Sequence, residues 1–261
     1  MNILDRIVAD KKIEVAHRKS LFSIAFWESS PLFERKTKSL AAQLRVSNSG
    51  IIAEHKRRSP SKQNINNSLS VSEVVKGYEF AGVCGISVLT DGKYFGGSLD
   101  DLTIARAVSN FPLLRKEFIV DEYQLIEAKA HGADAILLIA SVLTNEEIFS
   151  FSKTANSLGL NVLLEIHNLN ELEKSIMPSI DLIGVNNRNL KTFEVTLETS
   201  RALAEKIPSE FVKVSESGIS EVKSIKDLKT YGYQGFLVGE NFMKTDNPGQ
   251  AAHDFINQLG S

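Results

Sequence analysis

One cysteine and one tryptophan in 261 residues set the first limits. Cys84 alone cannot close an intramolecular disulfide, so the core has to hold the fold, and a reducing cytoplasm fits. Its neighbours Gly82, Val83, Gly85 and Ile86 mark it as a small buried residue. Long apolar runs are missing too. No stretch free of charged residues exceeds 11 positions, against the roughly 18 that suggest a membrane span, so no membrane attachment is expected. Met1 to Asp10 carries Asp5 and Asp10 among Ile3, Leu4, Ile7 and Val8, an amphipathic helix pattern without the apolar core of a signal peptide.

Neither sign of charge dominates. The 30 Lys+Arg and 32 Asp+Glu residues leave a net charge of -2, which argues against bulk nucleic-acid binding; the densest basic cluster, Lys56, Arg57, Arg58 and Lys62, is local. The five histidines show no metal-ligand spacing, and Cys-x-x-Cys and His-Glu-x-x-His are both missing, so no metal is expected. Gly-x-Ser-x-Gly does not occur, which removes a Ser-His-Asp hydrolase of the nucleophile-elbow type. With 43% hydrophobic and 24% charged residues, what remains is an ordinary folded chain, long enough for one large domain or two small ones.

Eight short apolar runs bounded by turn residues follow residue 50. They are Ile51 to Glu54, Val83 to Thr90, Phe111 to Lys116, Ala135 to Ala140, Asn161 to Ile166, Leu182 to Asn186, Phe211 to Ser215 and Gly235 to Gly239. Their starts lie 21 to 32 residues apart, room for one helix and two loops each. Ser70-Val-Ser-Glu73 and Thr144-Asn-Glu-Glu147 place a hydroxyl three residues before a glutamate, the capping-box arrangement of a helix start. Gly132 and Gly159 close helical patterns just before apolar runs. Runs apolar on both faces imply a parallel sheet covered on both sides. Such units form either an open doubly wound sheet or a (β/α)8 barrel. The barrel is favoured because His55-Lys-Arg-Arg-Ser-Pro-Ser61, not Gly-x-Gly-x-x-Gly, follows the first run, and no Walker-type Gly-Lys-Ser/Thr occurs. With no low-complexity linker in between, residues 49–261 read as one α/β barrel domain and residues 1–48 as an N-terminal helical extension, in which Phe26 and Trp27 are packing residues.

Barrels of this kind keep their chemistry at the carboxyl ends of the strands. Those ends here are polar: Glu54-His55-Lys56, Lys116, Glu165, Asn186 and Ser215-Glu216-Ser217. Alternation places Glu54 and Lys56 on one face and His55 on the other, and both His55 and His167 are expected to point into the helix layer. Lys116 and Glu165 stand in apolar surroundings, where an isolated charge costs several kcal/mol. Each could be a structural ion pair, but four such groups at strand ends point to a site. After the seventh and eighth runs come Glu216-Ser-Gly-Ile219 and Gly239-Glu-Asn-Phe242, where Gly218 and Gly239 would let the backbone approach a phosphate.

As a set these motifs resemble one family, indole-3-glycerol phosphate synthase of tryptophan biosynthesis. The resemblance runs along nearly the whole chain: Ala53-Glu-His-Lys-Arg-Arg-Ser-Pro-Ser61, Leu89-Thr90 with Tyr94-Phe-Gly-Gly-Ser98, Leu114-Arg-Lys-Glu-Phe-Ile-Val-Asp-Glu-Tyr-Gln124, Leu164-Glu-Ile-His167, Gly184-Val-Asn-Asn-Arg-Asn-Leu190, Ser215-Glu-Ser-Gly-Ile219 and Leu237-Val-Gly-Glu240. It implies a (β/α)8 fold with a helical extension, and closure of 1-(2-carboxyphenylamino)-1-deoxyribulose 5-phosphate to indole-3-glycerol phosphate with loss of carbon dioxide and water, without a cofactor.

By the same resemblance, Lys116 would protonate the ribulose carbonyl oxygen; on physical grounds, an apolar wall and a second cation are expected to lower its pKa and let it donate. Glu165 would stabilise the cationic intermediate and take a proton. Lys56 would meet the substrate carboxylate or act as a second acid, Glu54 as base, and Asn186 would hold a hydroxyl. Phe95, Phe118 and Leu138 would wall the phenyl ring. Gly218, Gly239 and Glu240 would offer amides to the phosphate with Ser59 nearby, while Ser217 and Arg188 orient polar groups. The partner implied is a small phosphorylated substrate, with a monomer favoured. Two departures stand out: Gln63-Asn-Ile-Asn66 replaces the glycine usual after Lys62, in a loop expected to move over the substrate, and Glu240 stands where many relatives have serine. Two alternatives remain, a related barrel isomerase such as phosphoribosylanthranilate isomerase and a non-catalytic ligand-binding barrel.

Overall fold

In the computed structural model, which describes residues 2–190 and 192–260, eight parallel strands close into a ring in chain order. They are β1 (Ile51–His55), β2 (Gly85–Leu89), β3 (Leu113–Lys116), β4 (Ala135–Ile139), β5 (Asn161–Ile166), β6 (Leu182–Asn186), β7 (Val212–Glu216) and β8 (Gly235–Val238). Ile51 opposite Phe236 closes β8 onto β1. Helices fill the intervals, so the fold is a (β/α)8 barrel, as the spacing predicts. Each of the eight apolar runs coincides with a strand. β1 and β7 extend one residue past their runs, to His55 and Glu216, because a polar side chain ends an apolar pattern without ending a hydrogen-bond ladder.

Both capping boxes form, Ser70 with Glu73 and Thr144 with Glu147. Gly132 and Gly159 take φ of 86° and 74°, the left-handed conformation that ends a helix. Side chains alternate strictly along the strands. One set, Ile52, Leu114, Leu137, Leu163, Leu182, Val212, Val214 and Leu237, fills the barrel interior. The other, including Ile51, Ile86, Val88, Ile136, Leu138, Leu164 and Ile183, packs outward under the helices.

Three helices precede the barrel: α1 (Ile3–Leu21), α2 (Ile24–Glu28) and α3 (Leu40–Val46). Leu40 and Leu44 of α3 are wholly buried in the interior cluster and close the amino end of the barrel. Each such burial is worth about 1.5–3 kcal/mol. α1 crosses the other end with Ile7, Lys11 and Val15 buried in one stripe. Lys11, 1% exposed, lies 2.9 Å from Asp91 after β2, 3.1 Å from Glu117 after β3 and 2.9 Å from Glu14, so the ammonium inside an apolar stripe is fully compensated. Trp27 donates its indole N–H to the Tyr123 hydroxyl at 2.6 Å and packs on His131, the packing role expected of it.

Candidate active site

At the carboxyl ends of the strands a cavity of about 360 Å³ is lined by Glu54, Lys56, Lys116, Glu165, Asn186, Arg188, Glu216 and Ser217. That volume suits a small organic ligand. Ser59, Phe95, Phe118, Gly218, Gly239 and Glu240 line it too, so thirteen of the fourteen site residues named from sequence meet there. From α1 come Ile3, Leu4 and Ile7; Val8, the remaining member of the N-terminal apolar stripe, does not reach it.

Leu138 is the exception. On β4 the inward residues are Leu137 and Ile139, which line the cavity, and Leu138 points into the helix layer. β4 is apolar on both faces, so its pattern alone cannot tell which face is which. Phe95 and Phe118 do form an apolar wall, their ring centroids 6.0 Å apart.

Lys116 is the centre of the charges. Its ammonium lies 2.5 Å from Glu216 and 3.2 Å from Glu165. Burial disfavours the charge, but the carboxylates of Glu216, Glu165 and Glu54 outweigh it and raise the lysine above its ordinary value. The expected lowering is therefore reversed: no second cation dominates, and three carboxylates do. Glu165 is likewise buried, yet Lys116, His167 and the Asn186 amide hold it below the usual carboxylate range. Glu216 goes the other way, pushed up to about 7 by burial, with Lys116 opposing only in part. The pair thus holds a cation fixed beside a carboxyl whose hold on a proton burial strengthens.

Glu216 is the charged cavity residue that sequence reasoning leaves without a role. Its signal is parity: Val212 and Val214 belong to the interior set, so Glu216 does too. Lys56 and Glu54 form the second pair, 2.6 Å apart at the end of β1, as alternation predicts. His55 packs outward, 1% exposed, and burial lowers its pKa to about 4. His167 does not follow it. Sharing the parity of Glu165, it places Nε2 3.5 Å from that carboxylate and Nδ1 3.2 Å from Glu171.

The loops after β6, β7 and β8 supply the other side of the mouth. Ser217 takes a φ of 65° and Gly218 one of 78°, a left-handed turn that places backbone against the cavity. Asn187 holds that turn from below: buried, it donates to the Glu216 and Ser217 carbonyls at 3.0 and 3.1 Å and to Ser215 Oγ at 2.9 Å. Gly239 has a second use besides backbone approach, since a Cβ there would lie 2.5 Å from Glu54 Oε1. The Glu240 carboxylate meets Lys62 at 2.9 Å, joining the loop after β1 to the loop after β8. In this chain the side chain at 240 is engaged by a protein cation.

Acids and bases gathered at the carboxyl mouth of a closed (β/α)8 barrel, over a sealed amino end, define a barrel enzyme. The profile of the indole-3-glycerol phosphate synthase family matches residues 4–255. The indole-3-glycerol phosphate synthase of Bacteroides thetaiotaomicron is 46% identical over 258 residues, 99% of each chain. That of Polynucleobacter asymbioticus is 41% identical over 264 residues, 98% of this chain and 99% of the relative. Among solved structures, the N-acetylmannosamine-6-phosphate 2-epimerase from Clostridium perfringens superposes with a TM-score of 0.59 at 14% identity, covering 82% of this chain and 95% of that one, a likeness of fold alone. The chain belongs to the indole-3-glycerol phosphate synthase family.

Proposed function

We propose that the protein is a carboxy-lyase that closes 1-(2-carboxyphenylamino)-1-deoxyribulose 5-phosphate to indole-3-glycerol phosphate. The observation that carries this is the cluster of Lys116 between Glu165 and Glu216 facing a separate Lys56–Glu54 pair across one cavity. Two acid-base pairs match two stages. In the first, the ring carbon bearing the carboxylate bonds to the ribulose carbonyl carbon, Lys116 gives its proton to the carbonyl oxygen, and the bond to the departing carbon dioxide breaks to return its electrons to the ring. Glu216, in contact with Lys116 and with its proton affinity raised by burial, resupplies it. The Glu165 carboxylate stabilises the cationic ring before carbon dioxide leaves.

In the second stage the new hydroxyl leaves as water, protonated by Lys56, and the carbon beside it loses a proton to Glu165, with Glu54 as base to Lys56. Asn186 and Ser217 hold hydroxyls, Arg188 orients polar groups, and Phe95 and Phe118 wall the phenyl ring with Leu137 and Ile139. The phosphate lies on the amides of Gly218, Gly239 and Glu240, near Ser59. Incubating the protein with the carboxyphenylamino substrate, without metal or nucleotide, should raise indole fluorescence. A folded but silent protein would sink the reading, and turnover of phosphoribosylanthranilate would replace it with the isomerase.

The apolar side chains of α1 close over this cavity. Replacing both Leu4 and Ile7 by Ser is expected to raise KM about tenfold, the loss of roughly 1.4 kcal/mol of apolar contact, with kcat changed less than threefold. An unchanged KM would leave α1 without a part in holding substrate.

A further inference from the structure

Lys116 and Glu216 stand on β3 and β7, four strands apart in a ring of eight, so their 2.5 Å contact is made across the barrel axis. The interior of an eight-stranded barrel is just wide enough for side chains to fill. Two long polar side chains meeting there require that a neighbour give up its own volume. That neighbour is on β6, whose inward row reads Leu182, Gly184, Asn186, with Gly184 paired to Glu165 on one side and to Val214 on the other. A Cβ on Gly184 would lie 2.2 Å from Glu216 Oε1 and 3.2 Å from its carboxyl carbon, and 3.1 Å from Leu163 Cδ1. Glu216 is 1% exposed, and among the described residues nothing hydrogen-bonds to its Oε1. The carboxylate therefore rests one oxygen in the hollow of Gly184 and turns the other to Lys116.

We propose that Gly184 is a positioning residue, the seat that sets the Glu216 carboxylate against the Lys116 ammonium. This rests on the reading that Glu216 serves Lys116 in ring closure. Glycine in the interior of a strand gives nothing to packing, and it is found where another group must come close. Here that group is a side chain of the same barrel. Any larger residue at 184 turns Glu216 away from Lys116 while the ladder of β6, made by backbone, stays intact.

The experiment is a double-mutant cycle on the full chain, read in kcat and in thermal unfolding, with Gly184→Ala, Glu216→Ala and both together. Displacement of a reacting group by about 1 Å costs on the order of 100-fold, so Gly184→Ala is expected to lower kcat by at least tenfold. In the Glu216→Ala background, where there is no carboxylate to displace, adding Gly184→Ala should cost less than threefold and lower the melting temperature less than it does in the parent. Should Gly184→Ala fail to fold and the double variant fold, the seat is supported by rescue. A loss under tenfold in the single variant, a loss of threefold or more on adding Gly184→Ala to Glu216→Ala, an undiminished melting-temperature penalty there, or failure of both 184 variants to fold overturns it. Wild-type protein inactive on the substrate would sink the synthase reading instead, and the unfolding arms would still decide the seat.

Discussion

Lys116→Ala is expected to lower kcat by at least about 100-fold, the scale of a lost general acid. The loss should exceed that of a surface lysine for a second reason. With the ammonium gone, Glu165 and Glu216 face each other across the cavity without the cation that lies 3.2 and 2.5 Å from them. Like charges at such range favour protonation of one or both, which removes Glu165 from its proposed role as stabiliser of a cationic intermediate. Glu165→Gln keeps the shape and removes the charge, and it too should cost at least about 100-fold in kcat. The two losses act through one cluster, so the double variant should fall well short of their product. Steady-state kinetics on purified, folded variants decides this: activity within tenfold of the parent in either single variant would mean that the roles are wrongly assigned.

The second large effect lies at the other end of the barrel and concerns stability. Asp134 is fully buried and accepts from Arg35 Nη2, the Lys38 amide and Arg106 Nη1, each at 2.8 Å, and from the Leu113 amide at 2.9 Å. One carboxylate thus fastens the segment before α3 to the start of β3. Asp134→Ala leaves the buried Arg106 guanidinium without its carboxylate and two amides without acceptors. Breaking a buried pair from one side costs about 3–5 kcal/mol. For a domain of this size that corresponds to roughly a 10 °C fall in melting temperature. Asp134→Asn, which keeps the acceptor oxygen, should lose less. Calorimetric unfolding of the two variants separates these outcomes, and a shift under about 2 °C for Asp134→Ala would show that the cluster is dispensable.

What could be read in the sequence follows from what is local. Ser70 with Glu73 and Thr144 with Glu147 act within four residues, so their capping boxes are visible before any fold is known. The eight runs are visible for the same reason, and parity along β1 alone puts Glu54 beside Lys56. The failures share the opposite property. Leu138 is indistinguishable from Leu137 on a strand buried on both faces. The burial of Lys11, on which the sequence carries no reading, depends on Asp91 and Glu117, some 80 and 106 positions on. The direction of the Lys116 pKa shift is set by Glu216, Glu165 and Glu54 together, and Glu216 lies 100 positions away in the chain. Asn187 sits inside the Gly184-Val-Asn-Asn-Arg-Asn-Leu190 motif, but its work of holding the Ser217 turn is a matter of tertiary contact.

The floor formed by Leu40 and Leu44 turns the barrel into a blind well. Everything that enters or leaves must share the rim, where α1 and the Lys62–Glu240 bridge also stand. In the proposed reaction, carbon dioxide freed in such a well has to climb past the rest of the molecule it came from. Substrate entry, gas escape and product departure would then compete for one doorway, and α1 stands at its threshold.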